Sequence, residues 1–178
     1  MITGDYAVIR TAEPDDTVAL QGFYDPARPR SSLLDSRHEL IVPTYEELRE
    51  ALSQKDLVRG VFHAVEDKEG RVRGFCSLRG VNPEVSFAEL VILLLDDADF
   101  DAPLAREVLD FLLQQAFERV KLNKVVAHGF EDESAFRAFL QRNGFQSDGI
   151  QREVVFTTGR WRHLENFSLF RSATPYGG

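Results

Sequence analysis

Cysteine is almost missing from this chain: Cys76 stands alone. One thiol excludes an internal disulfide and a thiolate cluster, and it fits a reducing compartment. Cationic residues are in deficit as well, 21 Lys and Arg against 29 Asp and Glu, for a net charge of -8. That balance argues against a nucleic-acid surface, which needs clustered cations to displace counterions from phosphates. It is compatible with a cationic substrate such as an amine. No apolar run approaches the roughly 20 residues that a membrane span needs. The first residues show no signal-peptide pattern. The expectation is a soluble cytoplasmic protein with neither nucleic-acid nor membrane partners. Four histidines without metal-ligand spacing give no metal site.

What is present is core-forming material. With 178 residues, 43% hydrophobic and 14 of them Phe, the chain can bury one sizeable domain. There is no internal repeat and no low-complexity linker, so a single domain is expected over residues 1–172, with 173–178 as a flexible tail. Tyr6 to Arg10 alternates as a first strand, and Glu13-Pro14-Asp15-Asp16 opens a helix with acids at its positive end. Residues 22–43, with Pro26, Pro29 and Pro43, read as a long ordered loop or broken helix. Thr44 and Glu47 make a capping box for a helix to about residue 54. Val61–Glu66 and Val72–Leu78 are strands joined by the tight turn Asp67-Lys68-Glu69-Gly70. Val85–Leu95 is a strongly apolar strand, predicted to be buried on both faces. Leu104, Val108, Leu112 and Phe117 recur at helical spacing through Val120. Lys124–Ala127 is a strand, Glu133–Arg142 the last helix, and a final hairpin turns at Thr158-Gly159.

Three stretches carry a family resemblance. Gly144-Phe145 follows an amphipathic helix, and Gly159-Arg160-Trp161 turns the closing hairpin. Phe87-Ala88-Glu89-Leu90-Val91 lies in the apolar strand. Together they resemble the GNAT superfamily of acyltransferases, and within it the branch acting on ribosomal-protein and other protein N-termini. The resemblance implies a mixed α/β (α+β) GNAT-like fold: a mostly antiparallel central sheet, two splayed parallel central strands, and flanking helices. It implies an acyl-CoA-dependent N-acyltransferase, with acetyl-CoA or another acyl-CoA as co-substrate. The acceptor would be an amine on a small molecule or a protein N-terminus. A homodimer is compatible with it. A catalytically silent GNAT-like domain that binds a partner or small ligand is the alternative.

The resemblance also assigns residues. Glu89 matches the catalytic glutamate of histone-type members. An ammonium must lose a proton before its nitrogen attacks a thioester, and a carboxylate can accept that proton. Otherwise Glu89 is a strand-end carboxylate facing solvent or pairing with Arg79 or Arg73. The backbone of Leu93, Leu94 and Leu95 is placed to pair with a pantetheine arm. The pyrophosphate loop, Gln/Arg-x-x-Gly-x-Gly/Ala in the family, falls on Phe100, Pro103 and Ala105, and only Ala105 conforms. Pro103 removes an N–H from the cradle. Asp96, Asp97, Asp99 and Asp101 surround it with negative charge, and Asp101 is placed to cap the helix in a phosphate's stead. Weak or absent acyl-CoA binding is the expectation. Where the family carries Asn, Ser and Tyr in the last helix, this chain has Glu133, Phe136 and Leu140. Cys76 reads as a buried small hydrophobe, and His38, His63, His128 and His163 as structural. Trp161 is expected to pack over the sheet edge.

Overall fold

The apolar run Phe87–Leu94 forms a central strand, β5, and the rest of the molecule is arranged around it. The computed structural model describes residues 1–34, 42–53 and 60–177. His38 and the expected helix end at residue 54 lie outside the described residues. The remaining strands are β1 (Ile2–Thr3), β2 (Val8–Thr11), β3 (His63–Glu66), β4 (Val72–Asn82), β6 (Lys124–Phe130), β7 (Gln146–Thr157) and β8 (Arg160–Phe170). The helices are α1 (Thr17–Gln21), α2 (Tyr45–Ser53), α3 (Pro103–Gln114) and α4 (Ser134–Arg142). The strands make one sheet in the order β1-β2-β3-β4-β5-β6-β8-β7. Only β5 and β6 pair in parallel; every other neighbour is antiparallel. This is the mixed GNAT-type architecture that the sequence implied.

Helices cover both faces, which explains why β5 shows no polar alternation. Leu90, Ile92 and Leu94 pack into the cluster under α3 and α4, with Val108, Leu112, Phe136, Phe139 and Leu140. Val91 and Leu93 point the other way, into the cluster with Leu20 of α1 and Leu48 and Leu52 of α2. Phe136 and Leu140 are therefore core. So is Cys76, whose thiol burial pushes well above its usual pKa.

Local signals set several ends. Thr44 N–H donates to Glu47 Oε2 at 2.7 Å and Glu47 N–H to Thr44 Oγ1 at 3.3 Å, closing the box ahead of α2. Thr158 and Gly159 take φ 53° and 75°, the left-handed pair that a two-residue hairpin turn requires. Beside them Trp161 packs edge-on against Phe156, with ring centroids 5.4 Å apart. Elsewhere the elements shift. β5 ends short of Val85 and Leu95, both exposed. β6 runs on to Phe130 because β8 pairs with its whole length. β2 starts at Val8 rather than Tyr6, and the short β1 pairs with it. α3 gives way to a π turn at Gln115–Arg119, still burying Phe117. The tail forms two 3-10 turns, with Tyr176 against Phe117.

Candidate active site

A slot opens where β5 and β6 part. Their parallel ladder holds three pairs, Phe87–Lys124, Ala88–Val125 and Glu89–Val126, and then stops. Beyond it each strand keeps its outer partner: β5 follows β4 to Leu94, and β6 follows β8 to Phe130. Only the inner edges separate, and their backbone groups must find other partners. On β5 the alternation of an antiparallel ladder decides which groups those are. Leu95 N–H bonds Arg73 O at 2.9 Å, so the backbones of Leu93 and Leu95 face β4. The Leu93 carbonyl lies so close to Gly74 that a Cβ there would meet it at 2.0 Å, and only glycine fits. Of the three leucines marked in the sequence, Leu94 turns its backbone into the slot.

The chain's own loop reaches both limbs of this V. Arg30 Nη2 approaches Leu94 O on β5 at 3.5 Å. On β6, Ser31 Oγ donates to His128 O at 2.8 Å. Glu133, just ahead of α4, accepts from Phe130 N at 2.9 Å and Ser31 N at 3.1 Å through the same oxygen, Oε2. Arg30, Ser31 and Ser32 are buried. Desolvation raises the Glu133 carboxyl above its usual pKa, against those hydrogen bonds and the field of Arg30. A strap of residues 30–34 thus caps the β6 edge with good hydrogen bonds and the β5 edge with a long one.

On the face covered by α1 and α2, the V carries polar side chains. Glu89 shares this face with Val91, and Arg79 is its partner across β4. Arg79 Nε and Nη2 fork the carboxylate at 2.8 and 2.7 Å, so the structure shows the Arg79 pairing weighed above. Tyr24 lies within the field of Arg79, and burial pushes its phenol up. Next to it is a pocket of about 100 Å³ lined by Phe23, Tyr24, Asp25, Pro29, Arg30 and Leu33, among others. On the opposite limb His128 Nδ1 meets Asn166 Oδ1 at 2.8 Å.

At the far end of β5 the chain enters α3 through a 3-10 turn, Asp97–Asp101. Phe100 is buried against Phe136 and Phe139, at 5.3 and 5.5 Å between centroids, and is part of the core. Pro103 is the first helical residue, and Ala105 is fully buried with its N–H on Ala102 O. The expected cap by Asp101 is not made: Ala102 is the N-cap residue, no side chain caps α3, and Asp101 bonds Arg142 at 2.6 Å. The expected repulsion is also compensated. Arg73 forks Asp99 at 2.7 and 2.8 Å, Arg28 and Arg30 pair with Asp97, and Asp96 accepts from Ala98 N. Asp97 is desolvated, yet the two arginines hold its carboxyl below the usual range.

The chain that carries this splayed parallel pair, with a carboxylate at its vertex and an uncapped helix start at its end, also matches a family model. The model, described as an acetyltransferase (GNAT) domain, matches residues 9–164. The chain belongs to this GNAT acetyltransferase domain family. Among solved structures it is similar to the spermidine N-acetyltransferase of Vibrio cholerae in complex with CoA and spermine. The TM-score is 0.79 at 18% identity, covering 98% of this chain and 100% of that one. A point variant of the same enzyme, SpeG, gives 0.77 at 19% identity over 95% and 96% of the chains. A dodecameric form in an intermediate state gives 0.74 at 19% over the same shares. No curated protein matches the chain.

GNAT acetyltransferases use acetyl-CoA, and the residues here fit such a ligand in part. No side chain caps the first turn of α3, so the helix dipole is open to a pyrophosphate, although the Ala102 and Ala105 N–H groups already bond Asp99 O and Ala102 O. Pro103 supplies no N–H, which leaves the cradle one donor short. Among the described residues there is no metal-binding group of acidic, His or Cys side chains. No helix of the described residues is long and apolar enough to cross a membrane. Sequence reasoning missed the strap, the bonds of Glu133 and the His128–Asn166 pair. Apart from the local bond of Phe130 N to Glu133, each joins segments far apart in the chain; only His128 and Asn166, both in alternating strands, carried a signal for one shared face.

Proposed function

We propose that this protein transfers an acetyl group from acetyl-CoA to the nitrogen of a small-molecule amine. The observation that carries this is the vertex of the V, where the β5–β6 ladder ends at Glu89 with the Glu89 carboxylate on the face opposite α3. The thioester comes from the α3 end, with Leu94 pairing the pantetheine. The amine comes from the α1–α2 face, through the pocket at Phe23 and Tyr24. Glu89, on the same face of the sheet, attracts the ammonium, and its fork with Arg79 fixes where the charge sits. A small acceptor suits a pocket of about 100 Å³ better than a protein N-terminus does. The spermidine enzymes among the similar structures point the same way. Acetyl-CoA is expected to bind weakly, because the strap holds the slot and Pro103 removes a donor. The strap is also the one feature favouring a catalytically silent domain. Release of CoA thiol, with spermidine, spermine, short monoamines and N-terminal peptides as acceptors, decides between them. Turnover on an amine but not on peptides supports the proposal. No turnover above background, with no acetyl-CoA heat in calorimetry, establishes the silent reading.

A further inference from the structure

Glu89 is well placed to hold an ammonium and poorly placed to take its proton. Both carboxylate oxygens already accept from Arg79, at 2.7 and 2.8 Å. The proton needs another acceptor beside the slot.

Across the V, Val126 is the last ladder partner of Glu89, and His128 follows two residues later on the same face. His128 stands one step past the point where the strands part, half-buried. Asn166, its cross-strand partner on β8, meets Nδ1 at 2.8 Å through its amide oxygen. With the amide oxygen facing the ring, Nδ1 is the donor, and in the neutral ring Nε2 is then the acceptor. No described residue bonds Nε2. This is the arrangement of a base whose tautomer is fixed by a third group. The charged groups around this face are accounted for: Glu89 with Arg79, Arg30 with Asp97, Glu133 under Ser31, and Asp148 bonded by Ser168.

We infer that His128 is the general base, resting on the acetyltransferase reading above. The amine nitrogen bonds the thioester carbonyl carbon, the carbon–sulfur bond breaks, and sulfur keeps that electron pair. The ammonium gives one proton to His128 Nε2 before attack, and His128 passes it to solvent; the second proton, shed by the nitrogen once it is bonded to carbon, goes to the thiolate. Asn166 is a positioning residue.

Imidazole ¹⁵N spectra of the unliganded protein test the tautomer without turnover, and should show His128 protonated at Nδ1. His128→Gln should lower kcat about 10²-fold or more and abolish the acidic limb of the pH–rate profile. Its acetyl-CoA affinity in calorimetry should be unchanged. Asn166→Ala, which leaves the ring in place, should lower kcat by less than His128→Gln does. Glu89→Gln should keep the acidic limb. An Nε2–H tautomer, or an intact acidic limb in His128→Gln, overturns the assignment. No transfer by the wild-type protein, with the expected tautomer present, overturns the acetyltransferase reading instead.

Discussion

The two limbs of the V are built by different means. β5 is a continuous apolar strand whose side chains fill both cores, and its inner edge receives one long contact from Arg30. β6 alternates, and its inner edge is covered by Ser31 and Glu133. The difference teaches where substrate pairing fits. An arm entering the slot gains more along β5, where the competing hydrogen bond is 3.5 Å long, than along β6, where the bonds are 2.8 and 2.9 Å. It also separates two roles: charge is anchored on β5 at Glu89, and the proton moves on β6 at His128.

The largest effect that can break this division is at Glu89. Glu89→Gln keeps the shape and removes the charge that holds the ammonium. A hydrogen bond to a charged group is worth about 1.5–3 kcal/mol. KM for the amine should therefore rise by roughly 10- to 150-fold, with kcat much less affected. A fall in kcat with KM unchanged would move the base back to β5.

The next effect concerns the end of β5. Pro103→Ala restores an N–H at the first helical position, and acetyl-CoA should bind about tenfold tighter, near the low end for a charge-assisted bond. Asp101→Asn should change little, because Arg142 already neutralises that carboxylate. Weaker binding in Pro103→Ala would show that the proline's fixed φ matters more than its missing donor.

A smaller effect is expected on the β6 side. Ser31→Ala deletes the bond to His128 O without disturbing β5. A neutral hydrogen bond contributes about 0.5–1.5 kcal/mol net, so acetyl-CoA should bind roughly 2- to 13-fold tighter if the strap lies in its path. Unchanged affinity would place the arm wholly on β5.

The same contrast explains what could be read from the sequence. β5, α3, the box at Thr44 and Glu47 and the turn at Gly159 rest on local pattern, and all are found. The order of elements rested on them, and the GNAT-like fold on the family resemblance. Asp101 misled because a residue of capping type beside a helix start says nothing about Arg142, 41 positions away. The repulsion expected from four aspartates is offset at three of them for the same reason, since Arg28, Arg30, Arg73 and Arg142 come from three distant segments. The strap was hidden in a proline-rich stretch without periodicity, and its function depends on contacts across about 100 residues.

Glu133 gives the finest test of how the β6 limb is held. Burial raises its carboxyl pKa above the ordinary glutamate value, so the neutral form is favoured in the folded state. Such a group contributes stability that is fully present below the unfolded pKa and lost as pH rises through the folded one. At neutral pH the wild-type protein therefore carries a desolvated charge that Glu133→Gln removes. Phe130 N and Ser31 N both donate to Oε2, so one amide oxygen in that place keeps both bonds. Glu133→Gln should melt higher than wild type at pH 7, and the gap should close as pH falls toward 4.5 and below. For a chain of this size each 1 kcal/mol gained appears as roughly 2–4 °C in Tm. A lower Tm for Glu133→Gln at neutral pH would show that the field of Arg30 outweighs desolvation. The strap would then be held to β6 by charge rather than by hydrogen bonds, and salt should loosen it.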